Sequence, residues 1–227
     1  MERLITITED GSHTVFAQEL NEHYHSIHGA VQESRHIFIG TGLHQACLNT
    51  GELNILEVGF GTGLNVLLTL ADPVISGRRV NYTAIEPYPL DPELVSELNY
   101  NTIPGLELFH DDFLKMHVQP FIITKEIREA FFFTKLPEKA EQAKLPASMY
   151  NLVYFDAFSP NIQPELWTPA LFSAIHESMM PGGILVTYCA KGIVKRALKG
   201  VGFRVENLPG PPGKNQITRA VKEMILP

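Results

Sequence analysis

Strand-like and helix-like segments alternate along the chain. Short apolar runs such as "LNILEV", "RVNYTAI" and "NLVYF" are typical of strands buried in a sheet. Between them lie segments that we predict to be helical, among them 92–100, 168–179 and 191–200. This alternation indicates a mostly parallel sheet with helices on both faces. The last two strand-like segments, "GFRVENL" and "NQITRAV", are close enough in sequence to form an antiparallel edge.

The N-terminal region has a different pattern. Two short alternating runs, 4–7 and 14–17, flank the turn signature "EDGS" and predict a hairpin. A helical segment follows and ends near "LHQACL". We therefore expect residues 1–50 to form a hairpin and helix packed on a core formed by 51–227. The sequence offers two candidates for the third strand of the main sheet, because "LELFHDDF" and "QPFIITKEI" are both strand-like. It does not decide between them.

Composition narrows the class of protein. The chain has 227 residues, of which 44% are hydrophobic and 19% charged, as in an ordinary globular α/β protein. The sequence shows no signal peptide and no apolar run of membrane length. The two cysteines share no motif spacing, so we expect a reduced, cytoplasmic protein.

The charge is distributed unevenly. The net charge is −7, which disfavours a nucleic-acid partner, yet the segment from Lys191 onward holds eight basic and two acidic residues. Such a segment is either a local phosphate-binding surface or a solvated helix face, and charge alone favours the second.

A glycine turn follows the first buried strand. "ILEVGFGTGLN" places Gly59, Gly61 and Gly63 where a helix begins, with G-x-G-x-G spacing instead of the G-x-G-x-x-G of dinucleotide sites. Glu57 just before them is unsuited to a pyrophosphate but suits an ammonium or sulfonium. The second strand ends in Glu86, where an acid binds ribose hydroxyls. This constellation resembles the S-adenosylmethionine site of class I methyltransferases, which have a Rossmann-like fold with a seven-stranded sheet; the alternative is a purely structural turn.

The same comparison extends the expected donor site. The adenine requires an acid or amide after the third strand, and Asp112 and Glu129 are the candidates from the two competing strands. The remaining residues that we expect to contact the donor lie on the glycine turn and after the fourth strand: Phe60, Thr62, Asn65 and Phe158.

The fourth strand ends on a carboxylate, Asp156, in "NLVYFDAFSPNIQPELW". Ligands of such folds bind at the carboxyl ends of the strands, so Asp156 is expected beside the methyl donor, across from Gly61. A carboxylate there suits an amine acceptor, because it can hold the amine in line and receive its proton. The alternative is a turn or capping aspartate. Phe158 is expected to wall the acceptor, and Trp167 to anchor the loop.

Long motifs then carry a closer resemblance. "GFGTGLN", "FDAFSPNIQPELWTPALF", "PGGILVTYCAKGIVKRALKGVGF", "YHSIHGAVQESRHIFI" and "GPPGKNQITRA" resemble the methyltransferase half of the bacterial bifunctional enzyme that completes 5-methylaminomethyl-2-thiouridine at the tRNA wobble position. The resemblance implies methyl transfer from S-adenosylmethionine to the amine of 5-aminomethyl-(2-thio)uridine. It also implies that Asp156 meets the amine and that the N-terminal segment lines the site with Tyr24, Ser26, Glu33 and Ser34.

Further expectations concern partners. The basic segment would hold the phosphates of the tRNA anticodon stem-loop with Lys191, Lys195, Arg196 and Lys214. The two-domain members of that family continue into an FAD-dependent oxidase. No second glycine-rich dinucleotide motif appears in this sequence. We therefore expect a stand-alone methyltransferase that depends on separate enzymes to install or expose the aminomethyl group.

Two other functions stay open. An aminopropyltransferase of the spermidine-synthase type shares the fold and an aspartate after the fourth strand, but such enzymes usually carry several acids to hold a polyamine. The second of these functions is that of a catalytically silent binding subunit. The histidines of "HYHSIH" lack partners at ligand spacing, so we expect no metal site.

Overall fold

The computed structural model describes residues 2–224. Its strands are β1 (Arg3–Ile7), β2 (His13–Ala17), β3 (Glu22–His23), β4 (Glu52–Val58), β5 (Arg79–Ile85), β6 (Lys125–Arg128), β7 (Phe131–Leu136), β8 (Tyr150–Phe155), β9 (Met179–Thr187), β10 (Phe203–Pro209) and β11 (Gln216–Lys222).

The helices are α1 (Ala30–Ser34), α2 (His44–Ala46), α3 (Leu64–Ala71), α4 (Pro92–Ser96), α5 (His110–Val118), α6 (Pro169–Ser178) and α7 (Gly192–Gly200). A π-helical segment, Arg35–Leu43, joins α1 to α2. Short 3-10 helices lie at Gln18–Leu20, Pro73–Ile75, Asn99–Thr102, Glu107–Phe109 and Pro164–Leu166. Among the described residues, no helix has the length and apolar character needed to cross a membrane.

Within residues 2–224 the main sheet has eight strands in the order β10-β11-β9-β8-β4-β5-β7-β6. The five strands from β9 to β7 are parallel to one another. At one edge β11 pairs antiparallel with both β9 and β10, as the sequence predicted. The sheet has one strand more than the expected seven: the short β6, which pairs antiparallel with β7 at the other edge. The class I methyltransferase fold is therefore confirmed.

The third parallel strand is β7, and neither sequence candidate for it was right. "LELFHDDF" folds into a 3-10 helix and the start of α5, because Leu106, Phe113 and Met116 recur at helical spacing and are buried on one face. "QPFIITKEI" contributes only to the edge strand β6. In β7 the inward residues Phe131 and Phe133 alternate with partly exposed ones.

The N-terminal region is a small antiparallel sheet with the order β1-β2-β3. The predicted hairpin is confirmed by pairing of β1 with β2. Arg3 ties this sheet to the core by donating hydrogen bonds to the carbonyls of Tyr88 and Pro89 at 2.9 and 3.0 Å. Residues of the π-helical segment belong to the same hydrophobic cluster as β4 and β5. The division at residue 50 stays a prediction.

The sheet contains a topological switch point between β4 and β8. From β4 the chain builds the sheet towards β5 and β7, and β8 then starts on the other side. The strand ends are aligned there: the Asp156 N–H donates to the Val58 carbonyl at 2.9 Å, and the Gly59 N–H to Ile85 at 3.2 Å. A crevice opens at the carboxyl ends of such strands.

Candidate active site

A cavity of about 540 Å³ occupies this crevice. Its volume is in the usual range for a small-molecule site. Several parts of the chain line it: Arg3 and residues 17–33 of the N-terminal region, the glycine turn after β4, and the segments that follow β5, β7 and β8. Tyr188 and Lys214 complete the lining. The cavity therefore lies between the N-terminal region and the core, and both contribute to its wall.

The glycine turn needs its glycines. Gly59 has φ of 92° and Gly61 has φ of 52°, which are left-handed conformations that favour glycine. A Cβ at Gly59 would lie 2.6 Å from the Asp156 carbonyl, and one at Gly61 would lie 2.9 Å from the Tyr24 ring. Neither position has room for a side chain. The backbone of the turn thus passes directly under the cavity.

Glu86 fixes the turn from the end of β5. One carboxylate oxygen accepts the Gly61 N–H at 2.9 Å and the other accepts the Tyr88 N–H at 2.8 Å. Burial raises the pKa of Glu86, and these two hydrogen bonds act in the opposite direction. Each oxygen keeps a free lone pair, and Glu86 lines the cavity. The residue can therefore accept a pair of ligand hydroxyls, and its contact with a ribose stays a prediction.

Asp156 lines the cavity directly after β8 and is linked to a buried acid behind it. The Asn65 side-chain amide donates to Asp156 at 2.8 Å and to Glu57 at 3.0 Å. Desolvation raises the pKa of Asp156 to about 7, with Asn65 opposing the shift. Desolvation also raises the pKa of the buried Glu57 well above its usual value. Asp156 can therefore take up or release a proton near neutral pH.

A second carboxylate, Glu33, lines the same cavity. One of its oxygens accepts the Ser26 N–H at 2.8 Å, and the other lies 3.1 Å from the Lys214 ammonium. The ammonium also lies 5.1 Å from the centre of the Tyr188 ring. The Tyr188 hydroxyl donates to the Ala157 carbonyl at 2.9 Å. These contacts connect the N-terminal region, the loop after β8 and the loop before β11.

Aromatic rings cover part of the cavity. Tyr24 and Phe158 meet edge to face with their ring centres 5.0 Å apart. The Trp167 indole N–H donates to the Phe158 carbonyl at 2.8 Å, and its ring packs 4.8 Å from that of Phe155. Trp167 is thus the anchor of the loop, as predicted, and it holds Phe158 over the turn.

The structure brings many of the predicted residues to the cavity. These are Tyr24, Ser26, Glu33, Gly59, Gly61, Glu86, Asp156, Phe158 and Lys214. Others lie behind its wall and are buried: Ser34, Glu57, Phe60, Thr62 and Asn65. Gly63 is also behind it, against His117. The buried set therefore supports the wall, and Asn65 reaches the site through Asp156.

The two adenine candidates do not reach the cavity. Asp112 lies on α5, where it pairs with Arg128 and, at 3.2 Å, with Lys115. Glu129 lies in the turn that precedes β7, at the opposite end of the strand from the cavity. Both were chosen from the wrong third strand. The residues that do follow β7 into the cavity are Lys139, Ala140 and Glu141.

The predicted phosphate-binding lysines lie beside the cavity. Lys191 lines an adjoining groove that shares Tyr188 and Lys214 with the cavity, and its ammonium donates to Asn161 at 2.8 Å. The Lys195 ammonium lies 3.4 Å from the Gln216 side chain, which lines the same groove. Arg196 is exposed on α7. Unlike these three, Lys214 points into the cavity.

Sequence reasoning missed several lining residues. Tyr188 follows the last residue of β9, so the rule that ligands bind at strand ends was a usable signal for it. Arg3 and His25 had no such signal, because the approach of the N-terminal sheet is a long-range contact. His25 is held by Thr14, and burial lowers its pKa to about 4, so it is neutral.

The fold and this site define the class of protein as an S-adenosylmethionine-binding methyltransferase. A family model described as "S-adenosyl-L-methionine-dependent methyltransferase" matches residues 109–223, about half of the chain. The chain belongs to this family. Its cofactor is accordingly S-adenosylmethionine.

Particular relatives narrow the similarity. The chain is 31% identical over 217 residues to the tRNA 5-methylaminomethyl-2-thiouridine biosynthesis bifunctional protein MnmC of Cupriavidus necator, a match that covers 90% of this chain and 32% of the relative. The chain thus spans about a third of the length of this relative. The crystal structure of MnmC2 from Aquifex aeolicus superposes with a TM-score of 0.82 at 27% identity, over 100% of this chain and 72% of that one.

The fold is also shared more widely. Spermidine synthase from Thermotoga maritima superposes with a TM-score of 0.61 over 97% of this chain and 68% of that one, at 11% identity. At that identity the similarity shows the fold alone.

Proposed function

We propose that the protein methylates the exocyclic amine of 5-aminomethyl-(2-thio)uridine at the tRNA wobble position, giving 5-methylaminomethyl-(2-thio)uridine. The observation that carries the proposal is the position of Asp156, a carboxylate with a raised pKa, in one cavity with the glycine turn and Glu86. The similarity to relatives named for this modification agrees with it.

The glycine turn and Glu86 are the proposed donor site. Gly59 and Gly61 carry no side chain of their own at the floor of the cavity, and Glu86 has lone pairs for the ribose hydroxyls. We propose that Lys139, Ala140 and Glu141 contact the adenine in place of Asp112 and Glu129, because they follow the third strand into the cavity. The bound donor supplies an electrophilic methyl group on a sulfonium.

Asp156 is the proposed base. A primary alkylamine has a pKa near 10.4 and is protonated at neutral pH, so it must lose a proton before its lone pair can attack the methyl carbon. The proton passes to the Asp156 carboxylate, and the carbon–sulfur bond breaks as the carbon–nitrogen bond forms. The pKa of Asp156 is raised from 3.8 to about 7, which brings it closer to the pKa of the amine. The free-energy cost of moving the proton from the amine to the carboxylate falls by ~4 kcal/mol as a result.

The adjoining groove is the proposed path of the RNA backbone. Lys191 is the N-cap residue of α7, Lys195 and Arg196 lie on that helix, and the groove shares Tyr188 and Lys214 with the cavity. A wobble nucleotide inserted into the cavity would leave its neighbours beside these cations. The proposed partners are the tRNA anticodon stem-loop and the separate enzymes that install or expose the aminomethyl group, all in the cytoplasm.

The test is methyl transfer to a defined tRNA. Protein is incubated with methyl-labelled S-adenosylmethionine and tRNA that carries the aminomethyl group, and nucleosides are then separated. We expect label in the wobble nucleoside only, and its loss in Asp156→Asn with donor binding retained. A tRNA without the aminomethyl group is the matched control. Label that is absent, or equal with the control tRNA, would refute the proposal.

A further inference from the structure

Among the described residues, Asp156 and Glu33 are two of the six carboxylates that line the cavity, and they act on each other electrostatically, but they are not equivalent. Asp156 has one polar side-chain partner, the neutral amide of Asn65. Glu33 instead has a cation within the protein, the Lys214 ammonium at 3.1 Å. The site therefore contains a built-in ammonium beside Glu33.

We propose that Lys214 sets the amine preference of the site: it neutralises Glu33 and leaves Asp156 to bind one amine, so that the second amine of a diamine adds nothing to binding. The inference rests on the proposed amine acceptor and adds the residue that selects it. The same fold occurs in a spermidine synthase, so side chains and not the fold must make this choice.

The position of Lys214 is fixed by its loop. Gly213 has φ of 84°, and a Cβ there would collide with the His28 ring. The Lys214 N–H donates to the Pro211 carbonyl at 2.9 Å, and the Gly210 N–H to Asn215 at 3.2 Å. This loop holds the side chain against Tyr188, where 28% of it is exposed, instead of leaving it free in solvent.

The Glu33 carboxylate is equally fixed. Its side chain is 10% exposed, and the Ser26 N–H holds the oxygen that does not face Lys214. A partly desolvated carboxylate needs a counter-ion. If Lys214 is removed, the ammonium of a ligand can take its place.

The three charged groups also act on one another electrostatically. Glu33 raises and Lys214 lowers the pKa of Asp156, which agrees with their shared position around one cavity. In the native site a second ligand ammonium would find Glu33 already paired with the Lys214 cation. In its absence the same ammonium would meet an unpaired anion.

The experiment compares butane-1,4-diamine with butylamine, which has the same carbon chain and one amine. Binding of each is measured by calorimetry with S-adenosylhomocysteine present, for the native protein and for Lys214→Met. Lys199→Met, an exposed lysine on α7, is the matched control. Lys214→Gln repeats the test with a second neutral side chain in case the methionine variant does not fold.

We expect the native protein and Lys199→Met to bind the two amines within about twofold of each other, the statistical factor for two amine groups. Lys214→Met should prefer the diamine at least tenfold, which corresponds to ~1.4 kcal/mol. The double variant Glu33→Gln/Lys214→Met should lose the preference, because the freed anion is then gone.

Two results would overturn the proposal: a native protein that already prefers the diamine tenfold, or folded Lys214 variants that bind the diamine no better than the monoamine or not at all. No RNA is used, so failure here leaves tRNA methylation standing. If tRNA methylation fails but the amine preferences are as expected, Lys214 still selects the acceptor, and that acceptor is another monoamine.

Discussion

Replacing Asn65 by leucine tests the link between the buried acid and the proposed base. Asn65 donates one amide group to both Asp156 and Glu57, and this hydrogen bond lowers the pKa of Asp156 against the effect of burial. Leucine has a similar size and no donor. A hydrogen bond to a charged group contributes ~1.5 kcal/mol or more, so its loss should raise the pKa of Asp156 by about one unit.

The assay is the pH dependence of kcat/KM for methyl transfer to the aminomethyl tRNA. The native profile should rise with pH through about 7, because Asp156 must be ionised to accept a proton. In Asn65→Leu the rise should move about one unit higher. The substrate amine titrates identically in both assays, so it cancels from the difference.

Thr69→Val is the matched control. Thr69 lies one helical turn after Asn65 on α3, and its hydroxyl donates to the Asn65 carbonyl at 2.8 Å. Its loss should lower the free energy of unfolding by ~1 kcal/mol and leave the pH profile in place. If Asn65→Leu is folded and its profile coincides with the native one, the reasoning from this hydrogen bond is wrong.

Four other results are expected. Asp156→Asn should raise the free energy of unfolding at pH 8 by up to ~4 kcal/mol and by less at pH 5. The reason is that the raised pKa of Asp156 makes its ionised form destabilise the native state increasingly as pH rises from 3.8 to about 7. Equal gains at both pH values contradict this. Glu86→Gln should weaken S-adenosylhomocysteine binding at least ~tenfold by calorimetry, because an amide cannot accept at both ends; an unchanged Kd contradicts it. S-adenosylhomocysteine should change the emission of Trp167, which holds Phe158 over the cavity, and an equal change in Phe158→Ala argues against that route. Lys191→Met should reduce the salt slope of tRNA binding by about one, unlike Glu165→Gln.

The sequence predicted those parts of the fold that depend on local pattern. The strand, glycine turn and helix from Glu52 to Ala71 follow from a buried apolar run and the turn's left-handed glycines. The helix predicted over 92–100 forms as α4, which begins after Asp91, whose side chain accepts the Glu93 N–H, and ends earlier, at Ser96. The third strand was missed because the segment 106–136 offers three apolar stretches, and only tertiary packing selects among them.

The site was predictable where it follows from strand ends and not where it depends on distant contacts. Asp156 and Glu86 each follow the last residue of a parallel strand, and the rule for open sheets places such residues together. The pairing of Glu33 with Lys214 has no local signal, since one lies on α1 and the other in the loop before β11. Lys214 was therefore assigned with the surface lysines.

The contact between Glu33 and Lys214 has a consequence for how the protein acquires its site. It closes a loop that includes most of the described chain, and such loops form slowly because their closure costs more conformational entropy than local contacts. The parallel core can assemble before this contact is made. Recognition of the acceptor should therefore be among the last properties to appear during refolding, and an amine-binding signal would report complete maturation better than secondary structure does.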